Sequence, residues 1–291
     1  MKRLLYILLI FSQLLNAQVL TNLSGDIILS GGNIMRDKKV VEFYSQQSGA
    51  IDQITFTFII DAGKTLNVDW CNGVVSSLTG TGSNQNISSS YIYSNNTYSI
   101  RIYGDLDNVK KLSLSEPKLR ILNLNEISKF VGLTELSLTS CILNSGSLAD
   151  LPTGLTSLNW SSMSGLTVTG SLADLPTGLA SLNWSSMSGL TVTGTIDEFP
   201  VSINSTLTVQ SCVNTNIGYT GGTIPAWGGV TITFQNAWTS TELDDFLIGW
   251  ATTAGSGTKT IDLRGDNAAR TSASDAAVST LTGLGKTILT N

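Results

Sequence analysis

Residues 147–170 read SLADLPTGLTSLNWSSMSGLTVTG, and residues 171–194 read SLADLPTGLASLNWSSMSGLTVTG. The two copies differ only at Thr156 and Ala180. A 24-residue unit repeated without a gap predicts a solenoid, in which each unit stacks on its neighbour. Inside each copy Leu155-x-x-Leu158-x-Trp160-x-x-Met163 is matched by Leu179-x-x-Leu182-x-Trp184-x-x-Met187. Alternate residues of a strand point to one side, so Leu158 and Trp160 face inward while Ser157, Asn159 and Ser161 face out. No single unit buries its own apolar face, so several must stack.

The pattern continues in both directions. Upstream lie Val109-x-x-Leu112-x-Leu114 and Leu133-x-x-Leu136-x-Leu138-x-x-Cys141. Downstream lie Leu207-x-Val209-x-x-Cys212, Ile232-x-Phe234-x-x-Ala237 and Ile261-x-Leu263-x-x-Asp266. The anchors at 112, 136, 158, 182, 207, 232 and 261 step by 24, 22, 24, 25, 25 and 29 residues. Leu119-x-x-Leu122-x-Leu124 also fits but breaks this spacing, so its placement stays open. The pattern resembles the leucine-rich repeat, LxxLxLxx(N/C)xL. The segments Val168 to Leu172, Val192 to Ile196 and Gly221 to Pro225 resemble the LtGxIP stretch of 24-residue repeats, shifted by about three residues. Pro152 and Pro176 limit helix on that return path. The resemblance implies a leucine-rich-repeat solenoid over 109–291 and is nearest to bacterial surface proteins of that family.

The end of the chain reads as a helical C-terminal cap. Thr239-x-x-Glu242 predicts a capping box. Leu243, Phe246, Leu247 and Trp250 follow at helical spacing as one apolar stripe. Ser272-x-x-Asp275 opens a second helix with Ala277, Val278 and Leu281, which Gly283 and Gly285 end. A last strand falls at Thr287-Ile288-Leu289.

The front of the chain differs. Ile54, Phe56 and Phe58 alternate with Thr55 and Thr57, the period of a half-buried strand. Leu66, Val68 and Trp70 alternate again, as do Tyr98, Ile100 and Ile102. Val68-Asp69-Trp70-Cys71-Asn72-Gly73 is similar to the VDWGDG hairpin of PKD-like (polycystic kidney disease repeat) β-sandwich domains, and Asn96 to Ile102 resembles their closing strand. This implies a spacer or interaction module over 18–108, with Cys71-Asn72 standing where the family has Gly-Asp. The fold class expected is therefore mainly β: a PKD-like β-sandwich followed by a leucine-rich-repeat solenoid with a helical C-terminal cap.

Residues 1–17 read as a signal peptide. Lys2 and Arg3 form a basic start, Leu4 to Leu15 an apolar core, and Ala17 a small residue at the cleavage site. The core is too short to span a bilayer, and no later run approaches that length. Removing Lys2 and Arg3 from 16 basic residues leaves 14 against 21 acidic, a net charge of −7. Between Phe130 and Gly257 there are eight Asp or Glu and no Lys or Arg. Such a surface repels phosphate backbones, which argues against nucleic acid as a partner. With 13% charged and 41% apolar residues, the chain is too apolar for disorder.

The chain has no histidine and three cysteines, Cys71, Cys141 and Cys212. That excludes a Ser-His-Asp or Cys-His site and a Cys/His zinc site, so no catalytic residue, metal or cofactor is expected. Cys141 and Cys212 hold the same inward position three rungs apart, about 14 Å at the ~4.8 Å strand spacing, too far for a disulfide. Asp150 and Asp174 are equivalent acids in successive copies, and repetition explains them without glycosidase chemistry. Asp105 and Asp107 leave calcium open, but two carboxylates are a weak signal beside the several oxygens that ion needs.

The candidate ligand-binding residues line the concave face: Glu135, Ser137, Asn159, Ser161, Asn183, Ser185, Thr208, Gln210, Thr233 and Gln235. Rows of hydroxyls and amides hydrogen-bond sugars or peptide backbone, or else simply solvate a sheet. Trp160 and Trp184 read as core rather than as sugar platforms. The expected function is a secreted or cell-surface protein that binds or adheres to an extracellular protein or glycan. The alternatives are a carbohydrate-binding accessory protein, a glycosidase and a passive structural spacer.

Overall fold

The computed structural model describes residues 28–30, 33–35, 39–45, 53–89, 98–116, 119–121, 123–163, 165–212, 215–227, 230–235, 237–257 and 259–291. Residues 1–17, expected to be a signal peptide, lie outside them. The chain is mainly β and divides into residues 1–39 and 40–291. In the first unit β1 (Ile28–Ser30) and β2 (Asn33–Met35) pair antiparallel.

The second unit begins with β3 (Val40–Ser45), β4 (Thr55–Ile60), β5 (Thr65–Asp69), β6 (Val75–Thr79), β7 (Asn84–Ser88), β8 (Tyr98–Gly104), β9 (Val109–Ser115) and β10 (Leu119–Ile121). After helix α1 (Asn125–Ser128) come β11 (Glu135–Thr139), β12 (Ile142–Leu143), β13 (Gly146–Ser147), β14 (Ser157–Ser161), β15 (Val168–Ser171), β16 (Ser181–Met187), β17 (Thr191–Thr195), β18 (Thr206–Cys212), β19 (Asn216–Gly218) and β20 (Thr231–Gln235). Helix α2 (Ser240–Ala251), β21 (Lys259–Asp262), helix α3 (Asp275–Gly283) and β22 (Lys286–Leu289) complete it.

A ten-stranded sheet in the order β22-β21-β20-β18-β16-β14-β11-β9-β4-β7 is the backbone of this unit. From β9 to β22 its strands are parallel; β4 joins β9 antiparallel, and β7 joins β4 antiparallel. The two near-identical copies pair in perfect phase, Ser157 with Ser181, Leu158 with Leu182 and Trp160 with Trp184. Each of β11, β14 and β20 alternates half-buried and buried residues along its length. Leu136, Leu158, Leu182, Leu207 and Ile232 form one buried row, and Leu138, Trp160, Trp184, Val209 and Phe234 the next. The rings of Trp160 and Trp184 stack 6.3 Å apart at 20° and are fully buried, as core positions should be.

The row after these anchors depends on a backbone device that strand alternation does not predict. Ser140, Ser162, Ser186 and Ser211 have φ of 57°, 53°, 55° and 53°. A left-handed residue at the strand end resets the alternation, so the next side chain turns back into the core. Cys141, Met163, Met187 and Cys212 are buried by it. After β20 one extra residue precedes the turn. Ala237, expected inward, is exposed with φ 56°, and Trp238 takes the buried place. After β21 the extra residue instead follows the left-handed one: Gly265 has φ 86°, Asp266 is exposed, and Asn267, 3% exposed, is the inward residue.

A four-stranded parallel sheet, β13-β15-β17-β19, is formed by the segments that connect the strands of the larger sheet. Three short 3₁₀ helices, Leu148–Asp150, Leu172–Asp174 and Ile196–Glu198, succeed β13, β15 and β17, and each is closed by a capping box. The third sheet, β12-β10-β3-β8-β5-β6, holds the Leu119 segment. There β10 pairs antiparallel with β3 and parallel with β12, so β9 with Leu112 and Leu114 is the strand that starts the parallel run.

The segments before and after residue 108 share a sheet through β4 and β9, and one continuous core runs from Val41 to Leu281. Phe56 on β4 packs against Phe43 of β3 at 5.2 Å and against Trp70 at 5.9 Å. Trp70 precedes a turn in which Cys71 and Gly73 have φ of 60° and 83°. The side chains of Asp69 and Asn72 each accept a backbone N–H two residues on, at 2.9 Å, which stabilises that turn.

At the other end Thr239 caps α2 in a box with Glu242, and Leu243, Phe246, Leu247 and Trp250 are all buried. The cap before α3 differs from expectation. Thr271, not Ser272, caps a 3₁₀ turn leading into the helix, while Asp275 pairs with Arg270.

Candidate functional site

The outward residues of β9, β11, β14, β16, β18 and β20 form three polar rows. The middle row, fixed by strand register, is Ser113, Ser137, Asn159, Asn183, Thr208 and Thr233. Beside it runs Ser115, Thr139, Ser161, Ser185, Gln210 and Gln235, and on the other side Lys111, Glu135, Ser157, Ser181, Thr206 and Thr231. All ten candidate residues therefore lie on one face of five neighbouring strands, and all are half-buried. Sequence periodicity suffices for this because in-phase stacking preserves which face each side chain takes.

The face is knit by its own hydrogen bonds at one end. Asn183 Nδ2 donates to Asn159 Oδ1 at 2.8 Å, and Asn159 Nδ2 donates to Ser137 Oγ at 3.0 Å. Ser161 Oγ donates to Thr139 Oγ1 at 3.2 Å. The row also continues past the repeats, which the sequence reading missed. Thr57 on β4 pairs with Ser113, and its hydroxyl donates to Asn86 Oδ1 on β7 at 2.8 Å. Charge sits only at the margins: Lys111 Nζ lies 3.2 Å from Glu135 Oε2, and Arg264 pairs with Asp262 at 2.8 Å. No outward position of these six strands carries an aromatic ring.

Inside the stack the polar groups are structural. Cys141 Sγ donates to the Leu114 carbonyl of the neighbouring strand β9 at 3.7 Å and to Thr139 O at 3.3 Å. Cys212 Sγ makes the equivalent contacts to Trp184 O and Gln210 O at 3.6 and 3.4 Å. Burial pushes both thiols up to about 11, so both are protonated at neutral pH and neither is a nucleophile. All three cysteines are free. Asn267 performs the same task after β21. Its Nδ2 donates to Phe234 O at 2.6 Å and Leu263 O at 2.9 Å, and its Oδ1 accepts Trp238 N–H at 3.0 Å.

The acids considered for chemistry are engaged elsewhere. Asp150 and Asp174 each accept the N–H of Ser147 or Ser171 at 2.9 Å, closing their capping boxes. The S-x-x-D spacing was the available signal for this role. Asp105 accepts Thr65 N–H at 2.8 Å. Among the described residues no three His, Cys, Asp or Glu side chains are placed to hold a metal ion. No helix among them is long and apolar enough to cross a membrane.

In comparisons with known proteins, no family model, curated protein or solved structure matches the chain.

Proposed function

We propose that the chain is an exported binding protein, secreted or held at the cell surface, that adheres to an extracellular protein or glycan rather than catalysing a reaction. In this reading residues 109–291 form a leucine-rich-repeat solenoid with a helical cap, and residues 18–108 a PKD-like β-sandwich module. The observation that carries it is the register of the polar rows. Hydroxyls and amides recur on five successive strands at the ~4.8 Å strand spacing. A face without aromatics and with charge only at its margins suits a ligand offering neutral donors and acceptors, such as sugar hydroxyls or an extended peptide backbone.

A glycan and protein array probed with the secreted chain tests the reading. A captured ligand should be lost or weakened by the paired change Asn183→Ala and Gln210→Ala, by roughly tenfold if each contact contributes about 0.7 kcal/mol. Capture of nothing would favour the passive spacer, and glycan cleavage would favour the glycosidase.

A further inference from the structure

An open groove of about 430 Å³ lies between α2 and the segment that follows β19, lined by Tyr219, Thr220, Gly221, Asp245, Ile248 and Gly249. It shares no residue with the polar rows. Its walls combine three chemistries. Tyr219 supplies a half-buried ring, braced edge-on against Phe246 at 6.4 Å and 84°, with its hydroxyl donating to Gly222 O at 3.0 Å. Ile248 supplies an apolar surface, 42% exposed, whereas the other large apolar side chains of the helix, Leu243, Phe246, Leu247 and Trp250, are buried. Asp245 supplies an exposed carboxylate with no ion pair among the described residues.

The groove is kept open by an absence of side chain. A Cβ at Gly249 would collide with the Tyr219 hydroxyl. Behind the ring Asp197 stands against Gly222, where a Cβ would meet its carboxylate, and its buried Oδ1 has no hydrogen-bond partner among the described residues. Asp197 and Asp245 are the charges that act on Tyr219, raising its phenol after burial has already raised it. Residues 130–257 contain no lysine or arginine to offset them.

We propose that this groove receives a lysine or arginine side chain of a protein partner. The aliphatic stem packs on Ile248, and the cationic head sits by the Tyr219 ring and Asp245. A neutral sugar would fill the same space but leave the Asp245 carboxylate uncompensated.

The test titrates acetyl-Gly-Arg-Gly-amide into the isotope-labelled protein and follows backbone amide shifts. Saturable shifts confined to Thr220, Gly221, Ile248 and Gly249 are expected. Replacing arginine by citrulline, or Asp245 by Asn, should weaken binding roughly fivefold, the scale of one exposed ionic or cation–π contact. Asp245 is exposed, and unchanged shifts elsewhere will show that the variant is folded. Three outcomes would overturn the proposal: no localised shifts, citrulline binding equal to arginine, or a neutral disaccharide shifting the same amides as strongly.

Discussion

Two of the six tryptophans have a bonded indole N–H: Trp70 donates to Ser76 Oγ at 2.9 Å and Trp238 to Ile217 O at 2.6 Å. The indole nitrogens of Trp160, Trp184, Trp227 and Trp250 are buried without a partner among the described residues. A buried donor left unmatched costs about 1–3 kcal/mol, whereas a matched one contributes about 1. Trp160→Phe should therefore destabilise less than Trp70→Phe, by about 1–2 kcal/mol, although both remove similar volume. Urea melts of the two variants check this; equal losses would show that Trp160 Nε1 is satisfied in solution. The left-handed serines give a second residue-scale prediction. Ser186 is exposed, so Ser186→Val changes little packing, but a β-branched side chain at φ 55° should cost about 1–2 kcal/mol. Ser186→Asn should be near neutral, since asparagine tolerates that conformation.

At the scale of elements, patterns with a fixed period were legible and inserted residues were not. The α2 stripe and its Thr239–Glu242 box could be read directly, because capping and helical spacing are local. Ala237 and Asp266 were misplaced because one added residue, before the left-handed Ala237 in one case and after the left-handed Gly265 in the other, moves the inward position without disturbing the strand before it. All ten candidate face residues could be placed because they sit within strands, where the period of two holds. Asp150 and Asp174 show the converse: the repeat made them conspicuous, and their job is to close 3₁₀ helices. The union of α2 with the turn before α3 rests on Asp244, 4% exposed, which accepts the N–H and hydroxyl of Thr271 and the hydroxyl of Ser274. Burial raises this carboxyl, but bonds from Ser274 and Thr271 and the nearby Arg270 charge outweigh burial and leave it below its ordinary value. A depressed carboxylate stabilises fully above its unfolded pKa of about 3.9 and ceases to do so as pH falls through the lower folded value. Asp244→Asn should lose about 2–3 kcal/mol at pH 7, and its deficit relative to the parent should shrink below about pH 4. Denaturation at pH 7 and pH 3 measures both; a deficit unchanged with pH would mean that the carboxylate charge is not what matters.

For the whole molecule, the equivalence of the two copies makes a prediction about length. Deleting residues 147–170 joins Gly146 to Ser171, the residue type it met before. Strand β11 would then pair with β16, bringing Leu136 onto Leu182 and Leu138 onto Trp184, with every inward position still inward. Stability should fall by about one unit and one interface. A 12-residue deletion starting at the same place removes half a turn and should unfold the chain. Circular dichroism and thermal melting compare the two, and similar damage from both would show that the 24-residue unit is not what stacks. The same in-phase pairing has a mechanical meaning. Hydrogen bonds between β11, β14, β16 and β18 lie across the strands, along the direction in which one strand follows the next. Tension applied in that direction loads them a few at a time, so the assembly peels instead of shearing as a block. Each 24-residue unit set free releases roughly 80 Å of extended polypeptide. Pulled from its two ends, the chain would yield in graded steps, lengthening under load while the remaining strands kept their pairing.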